Sequence, residues 1–288
     1  MPEARGRLDS GEPSATAMGV AMRRAAHQLF DDPRVFEDPL ATRIIGEAAL
    51  KRLKGELERH LHPFSRALTA HVIARSRYAE DRLEQAYGRG VRQYLVLGAG
   101  LDTFAWRNPH PDLRVFEVDH PSTQAWKLAQ LQAAGVEAPA TLAFAPVDFQ
   151  TGTLAEGLDA AGFDASRPTF VSWLGVTMYL EEGAALRTLA DLAALPASSE
   201  VVFDFSVSPE RLDPLARKAR EFLVARVAAA GEPFRSSFDP AALSGQLASL
   251  GFSEVELLGA EALNRLYFEG RSDGLRLAGA SRIARARV

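Results

Sequence analysis

The chain has 288 residues, and its 33 basic residues are nearly balanced by 37 acidic ones, giving a formal net charge of -4 at pH 7. No long block of either charge is present, so the sequence shows no electrostatic footprint of nucleic-acid binding. It contains no cysteine, which excludes disulfides, thiolate metal sites and cysteine nucleophiles.

The N-terminal third is predicted to be helical. Residues 1–14 are polar and rich in Gly, Pro and Ser, which predicts a flexible lead-in rather than a signal peptide. Over residues 15–90, apolar residues recur at three- and four-residue spacing, which predicts three or four helices. No linker follows, so we expect these helices to cap the domain formed by residues 91–288. No segment is apolar for long enough to span a bilayer, so we expect a cytoplasmic protein without a membrane partner.

From Val91 onward, short apolar runs alternate with helical segments. The runs predicted to be strands are 93–98, 114–119, 142–148, 168–175 and 200–206, followed by "EVELLG" and a last run in "RLAGASRIARA". The segments predicted to be helices are 122–134, 153–161, 181–195 and 240–250. This alternation predicts an α/β fold with a doubly wound, Rossmann-like, mostly parallel sheet of about seven strands and an N-terminal helical cap.

The first strand ends in a glycine loop, within "YLVLGAGLDTFAWR". Ligands of doubly wound sheets lie beyond the carboxyl ends of the strands, and Gly98 and Gly100 lack the β-carbon that would hinder a close approach. A dinucleotide pyrophosphate needs a third glycine where Thr103 stands, and Asp102 beside it would repel phosphate. S-adenosylmethionine has no phosphate and carries an ammonium and a positive sulfur, so Asp102 favours this cofactor.

Acids also end the next two strands. Asp119 lies about twenty residues beyond the glycines, the spacing at which an acid reaches ribose hydroxyls in either cofactor class. Asp148 is placed to accept a hydrogen bond from an adenine amine, and Phe149 to pack on the ring or to donate its backbone N–H. Such acids also commonly cap the following helix, but their recurrence at successive strand ends favours a nucleoside site.

Several segments together resemble the leucine carboxyl methyltransferase-like group of class I S-adenosylmethionine-dependent methyltransferases. The resemblance runs from about Ala15 to Arg285, and the order and spacing of the segments make it specific. The segments are "ARSRYAED", "VLGAGLDTFAWR", "VFEVDHP", "PVDF", "SWLGVTMYL", "GEPFRSSFDP" and "LNRLYFEGRSDGLR". The resemblance implies the methyltransferase form of the sheet and S-adenosyl-L-methionine as the cofactor.

The resemblance also implies residue roles. The matching positions are Arg75 for the methionyl carboxylate, Gly98 and Gly100 under the methionine, Asp119 for the ribose, and Asp148 with Phe149 for the adenine. Arg24 lies near a basic cofactor contact of some relatives. Relatives often carry a glutamate where this chain has Leu174. If that glutamate holds the cofactor's ammonium, the task passes here to Asp102 or to the backbone carbonyls of Gly98 and Leu174. The departure also argues against methylation of a phosphatase tail.

Some polar side chains have more than one interpretation. Arg75 also fits a solvated helix face like that of Arg77 and Asp81, although its apolar flanks favour burial. His71 and His120 are candidate general bases, since histidine titrates near working pH. No histidine spacing indicates a metal site, so no metal is expected.

These patterns predict an O-methyltransferase that acts on a small-molecule hydroxyl or carboxyl acceptor, with the N-terminal helices as a lid. A carboxylate acceptor needs no base, whereas a hydroxyl needs one that the sequence does not identify. Two alternatives stay open: an NAD-dependent oxidoreductase using the same loop, and a non-catalytic S-adenosylmethionine-binding protein. The sequence identifies neither the acceptor nor the oligomeric state.

Overall fold

The helical region before the sheet is divided by glycines. The computed structural model describes residues 14–147 and 153–288. Within them, the helices before the first strand are α1 (Ala15–Phe30), α2 (Ala41–Ile44), α3 (Glu47–Lys54), α4 (Leu57–Leu61) and α5 (Pro63–Gly88). These are five helices, so the prediction of three or four was wrong. Gly46, at a φ of 79°, separates α2 from α3, and Gly55 ends α3, which divides a run that the apolar spacing made continuous.

The described residues form one seven-stranded sheet, as the alternating pattern predicted. Its strands are β1 (Gln93–Leu97), β2 (Arg114–Asp119), β3 (Leu142–Pro146), β4 (Thr169–Trp173), β5 (Glu200–Ser206), β6 (Glu254–Leu258) and β7 (Ser281–Arg287). Their order is β3-β2-β1-β4-β5-β7-β6; β7 is antiparallel to both of its neighbours, β5 and β6, and the other pairs are parallel. The chain therefore has the mostly parallel, doubly wound sheet that we expected.

Helices connect these strands. They are α6 (Phe104–Arg107), α7 (Pro121–Ala133), α8 (Leu154–Ala160), α9 (Glu182–Ala193), α10 (Pro214–Ala229), α11 (Pro240–Leu250) and α12 (Ala260–Tyr267). The sequence pattern did not predict α6, α10 or α12. Helix α10 buries only Ala216, so it lacks the apolar stripe by which a helix is recognised.

Both faces of the sheet are buried. Alternate residues of β1 point to opposite sides, so that Leu95 and Leu97 join one hydrophobic cluster while Tyr94 and Val96 join another that includes α5. A third cluster, which includes Ala21 and Ala25, joins α1 and α2 to the loop after β1. The N-terminal helices are thereby held over the carboxyl end of β1.

The strand order reverses between β1 and β4. The chain leaves β1 toward β2 on one side and returns to β4 on the other, which opens a crevice at the carboxyl ends of these two strands. In the described part of the chain, no helix is long and apolar enough to cross a membrane. Across the same residues, no group of three or more His, Asp or Glu side chains is arranged to hold a metal ion.

Candidate functional site

A large cavity opens at the carboxyl ends of β1, β4 and β5. Its volume is about 2,090 Å³, and its walls come from α1, α5 and α10 as well as from the strand ends. The predicted residues Arg75, Gly98, Gly100, Asp102 and Asp119 all line it. Leu174 lines it too. The fold therefore brings together all the predicted cofactor residues that lie in the described part of the chain.

The glycine loop after β1 is closely covered. Gly98 has a φ of 68°, and a β-carbon built there would lie 2.3 Å from Cγ2 of Val176. Gly100 has a φ of 50°, and its β-carbon would lie 3.2 Å from Cβ of Ala17 in α1. Both positions combine a left-handed backbone with a close neighbour, which explains glycine at each. The loop thus presents bare backbone to the cavity beneath α1.

Asp119 ends β2 with both carboxylate oxygens oriented by backbone donors. The N–H of Gly100 donates to Oδ2 at 2.5 Å, and the N–H of His120 donates to Oδ1 at 2.7 Å. Burial raises the pKa of the Asp119 carboxyl, although these two donors oppose the shift. Each oxygen keeps capacity for another donor, which suits the hydroxyls of a ribose.

Arg75 and Asp204 form a buried ion pair at the far wall of the crevice. Nη1 of Arg75 donates to Oδ2 of Asp204 at 2.8 Å, and the side chains are 7% and 0% exposed. His71 contacts the same oxygen through Nε2 at 3.0 Å, and the N–H of Gly175 donates to Oδ1 at 2.5 Å. Burial alone would raise the pKa of Asp204, but Arg75 and His71 outweigh it and hold that pKa well below the usual range.

The rest of the Arg75 guanidinium is packed on a glycine. Gly175 has a φ of 76°, and a β-carbon there would lie 2.7 Å from Nη2 of Arg75, so a larger residue would strain the backbone and displace this guanidinium. Among the described residues, Nη2 has no hydrogen-bond partner, although Arg75 is buried and lines the cavity. A buried cationic donor with spare capacity fits a carboxylate ligand such as the methionyl group of S-adenosylmethionine.

Two backbone carbonyls near Arg75 have spare capacity as acceptors. The carbonyls of Gly98 and Leu174 follow the ends of β1 and β4 and accept no hydrogen bond from the described residues. Both residues line the cavity. Both residues are half-buried, so their unpaired carbonyls can accept from an ammonium in the cavity. The donor set of the crevice therefore fits a nucleoside that carries both a carboxylate and an ammonium.

Asp102 has partners within the protein. Its Oδ2 accepts from Nη1 of Arg24 at 3.0 Å, and its Oδ1 accepts from the N–H of Phe104 at 2.7 Å. Burial would raise the pKa of Asp102, but the charges of Arg24, Lys127 and Arg107 outweigh it and lower that pKa. Arg24, the loosely matched basic residue, is itself held by this carboxylate. Both oxygens of Asp102 therefore already accept hydrogen bonds within the protein, although Arg24 also pairs with Asp38 at 2.8 Å, and this favours the two carbonyls for an ammonium.

Other predicted candidates lie in different settings. His120 is the N-cap of α7, and its Nδ1 lies 2.8 Å from the hydroxyl of Ser122, so its position explains it as a helix cap. Arg77 and Asp81 form the expected surface pair at 2.8 Å. The predicted adenine residues, Asp148 and Phe149, lie outside the described residues.

Sequence reasoning missed Asp204, Gly175 and Glu232. Asp204 was part of an apolar strand, and its signal was a charge inside "EVVFDFS". Glu232 accepts from the N–H groups of Ala15 and Thr16 at 2.9 and 3.0 Å, and so holds the first turn of α1 over the cavity. A glutamate 217 residues from its partner gives no local signal of this contact.

Known proteins resemble this chain over most of its length. A family model described as leucine carboxyl methyltransferase matches residues 17–193. A Bacillus subtilis protein named "Putative S-adenosyl-L-methionine-dependent methyltransferase YktD" is 32% identical over 293 residues, covering 93% of this chain and 95% of that protein.

Solved structures support the fold. A Thermobifida fusca protein described as "a putative methyltransferase" superposes with a TM-score of 0.57 at 18% identity, covering 97% of this chain and 96% of the other. A DUF574 family protein from Streptomyces avermitilis has a TM-score of 0.54 at 18% identity, covering 98% and 99% of the two chains. At this identity the similarity concerns the arrangement of the backbone.

Proposed function

The chain belongs to the leucine carboxyl methyltransferase family and is an S-adenosylmethionine-dependent methyltransferase, and on that premise we propose that it methylates an oxygen of a small-molecule acceptor. Family membership decides the question that the glycine loop left open, because it assigns S-adenosylmethionine rather than NAD and an enzyme rather than a binding protein. The acceptor, a hydroxyl or a carboxyl, and the residues that serve the cofactor are our proposal.

The observation that carries the proposal is the size of the cavity. At about 2,090 Å³ it is roughly twice the upper end of the range of about 300–1,000 Å³ that is usual for small-molecule sites. The proposed cofactor residues line only the strand-end part of it. Space bounded by α1, α5 and α10 is left for a second molecule, which supports an acceptor of small-molecule size. We propose that helices α1–α5 serve as its lid.

We propose that Arg75 binds the cofactor's carboxylate, that the carbonyls of Gly98 and Leu174 accept from its ammonium, and that Asp119 accepts from its ribose hydroxyls. When bound, the cofactor supplies a methyl group on a positive sulfur that departs as a neutral thioether as the methyl bonds to the acceptor oxygen. The protein then has chiefly to position the acceptor and exclude water.

A hydroxyl acceptor must also lose a proton, and we propose His71 as the base. It lines the cavity, and its Nε2 lies 3.0 Å from the buried carboxylate of Asp204. That contact orients the ring, and Nδ1 has no partner among the described residues, so it can accept the proton of a hydroxyl. A carboxylate acceptor would need no base, so replacing His71 with Gln distinguishes the two kinds of acceptor.

The experiment is methyl transfer from labelled S-adenosylmethionine to a panel of small alcohols, carboxylic acids, amines and thiols, with a peptide ending in leucine included. We expect label on oxygen acceptors. Transfer confined to nitrogen or sulfur nucleophiles, or to the peptide carboxylate, would contradict the proposal.

The residue roles are tested by the affinity for S-adenosylhomocysteine. Asp119→Ala should weaken binding at least tenfold, since one charge-assisted hydrogen bond contributes about 1.5–3 kcal/mol and about 1.4 kcal/mol is tenfold. Asp239→Ala is the matched control, because Asp239 also accepts from two backbone N–H groups but lies at α11, outside the cavity. Unchanged affinity in the Asp119 variant would remove that residue from the site.

A further inference from the structure

Arginines line the part of the cavity that the proposed cofactor residues leave open. Arg23 on α1, Arg59 on α4 and Arg226 on α10 all face this space, and we call them the arginine cluster. Arg59 has a carboxylate partner in Glu56 at 3.2 Å. Within residues 14–147 and 153–288, neither Arg23 nor Arg226 has a carboxylate within 4.0 Å, which leaves two cations on the wall without a counter-charge.

Arg23 is fixed in place by neutral groups. Its Nη1 donates to the backbone carbonyl of Ser65 at 3.0 Å and lies 3.2 Å from the hydroxyl of Thr69. Burial and the neighbouring charges of Arg226 and Arg59 lower the pKa of Arg23 to about 10. The guanidinium is still charged at neutral pH, so Arg23 holds a positive charge that no carboxylate of the described residues balances within 4.0 Å.

Aromatic side chains border the cluster. Phe64 of α5 and Phe222 of α10 meet edge to face with ring centroids 5.0 Å apart, and both line the cavity. Phe64 precedes the serine that holds Arg23, and Phe222 lies one helical turn before Arg226. Phe222 is 58% exposed, which is unusual for so large an apolar side chain. An apolar surface thus adjoins the unbalanced positive charge.

The cluster lies away from the proposed cofactor residues. Thr69, which holds Arg23, precedes Arg75 by six residues of α5, or about 9 Å along the helix axis. Ala17, which lies against Gly100, precedes Arg23 by six residues of α1, again about 9 Å. Distances along α1 and α5 therefore both separate the arginine cluster from the glycine loop and from Arg75.

We propose that the methyl acceptor is an amphipathic anion whose carboxylate or phosphate is bound by the arginine cluster, whose apolar body lies against Phe64 and Phe222, and whose separate oxygen receives the methyl. This inference rests on the proposed function. Because the cluster is about one small molecule's length from the cofactor residues, the bound anion and the methylated oxygen are different groups of the acceptor. A carboxylate or phosphate can accept two parallel hydrogen bonds from a guanidinium, which makes arginine suited to hold it.

The test uses three probes that share one apolar body: 6-phenylhexanoate, 6-phenylhexyl phosphate and the neutral 6-phenylhexanamide. Each is titrated calorimetrically into the full-length protein saturated with S-adenosylhomocysteine. We expect at least one anion to bind tenfold or more tighter than the amide, and comparison of the two anions separates a carboxylate from a phosphate site. The preference should shrink at higher salt.

Variants locate the anion site. Arg226→Gln should reduce the preference for the anion at least fivefold, and its guanidinium makes no hydrogen bond within the described residues that folding would lose. Lys218→Gln removes the same charge from the same helix at a position outside the cavity, and it should leave the preference unchanged.

Equal binding of amide and anions, failure of both anions to bind, or an unchanged preference in the Arg59→Gln/Arg226→Gln double variant would overturn the proposal. A separate titration of S-adenosylhomocysteine into each ligand-free variant distinguishes failure of this proposal from failure of the proposed function. If it binds and no anion preference is found, only the anion site is wrong. If it fails to bind at all, the cofactor roles of the proposed function are wrong as well.

Discussion

Substituting both members of the Arg75–Asp204 pair tests whether Arg75 binds the cofactor or only neutralises a buried acid. The variants are Arg75→Met, Asp204→Asn and the two combined. The pair is almost wholly inaccessible, with Nη1 of Arg75 at 2.8 Å from Oδ2 of Asp204. Arg77→Met is the matched control, since Arg77 lies on the same helix in an exposed pair with Asp81.

The expected stability changes follow from burial. Among the described residues, Arg75→Met leaves the Asp204 carboxylate with only His71 and the Gly175 N–H as partners, and removal of one member of a buried pair costs about 3–5 kcal/mol. Adding Asp204→Asn removes the uncompensated charge and should recover on the order of 1–3 kcal/mol. The control should cost less than about 0.5 kcal/mol, as exposed helix pairs do.

Urea unfolding gives the stabilities, and calorimetric titration with S-adenosylhomocysteine gives the affinities. We expect Arg75→Met and the double variant to bind this ligand at least tenfold more weakly, because both lack the guanidinium that we assign to its carboxylate. The decisive sample is the double variant. If it regains wild-type affinity together with stability, Arg75 serves only to neutralise Asp204, and our assignment of the carboxylate site is refuted.

The structure supports three further predictions. Gly98→Ala should destabilise the protein by about 2–4 kcal/mol, because of the left-handed backbone and the 2.3 Å contact with Val176, and should abolish measurable cofactor affinity. The control is Gly245→Ala, in an open position of α11, which should stabilise the protein by about 0.5–1 kcal/mol in the same urea experiment. The pKa of Asp204 is lowered, so its contribution to stability is present above about pH 4 and is lost as the pH falls through the lowered pKa. The difference in unfolding free energy between wild type and Asp204→Asn should therefore shrink from about pH 5 to about pH 2, and an increase over that range would contradict the pairing. Glu232→Gln weakens the charge-assisted hydrogen bonds to the first turn of α1, so amide hydrogen exchange in that turn should become several-fold faster while exchange in β1 stays the same. Exchange in α1 equal to that of the wild type would show that Glu232 does not hold this turn.

The sheet was predictable because its strands are short and apolar and its connections are mostly amphipathic. Strand β2 was predicted with the bounds that the structure shows, and β5 likewise. Helix α10 was not predicted, since a helix that buries a single residue has no periodic apolar signal. Its position matters for function all the same, because it brings Arg226 and Phe222 to the wall of the cavity.

The glycine loop and Asp119 were predictable for a local reason. A strand followed by glycines, and an acid about twenty residues later, place their groups at one sheet edge whatever the rest of the chain does. The partners of Asp102, in contrast, could not be predicted from the local sequence. Its partner Arg24 lies 78 residues away in sequence, so no local pattern shows that Asp102 already has a hydrogen-bond donor within the protein.

The sequence by itself therefore determined the strands in chain order, the mostly parallel sheet and the glycine loop at its edge. Only the tertiary structure decided which charges meet. Arg75 and Asp204 are 129 residues apart in the chain, yet the crossing of α5 over the end of β5 places them in contact. Arg23 and Arg226 become neighbours in the same way. Electrostatic energies depend on distance through space and on burial, and neither quantity is set by spacing along the chain.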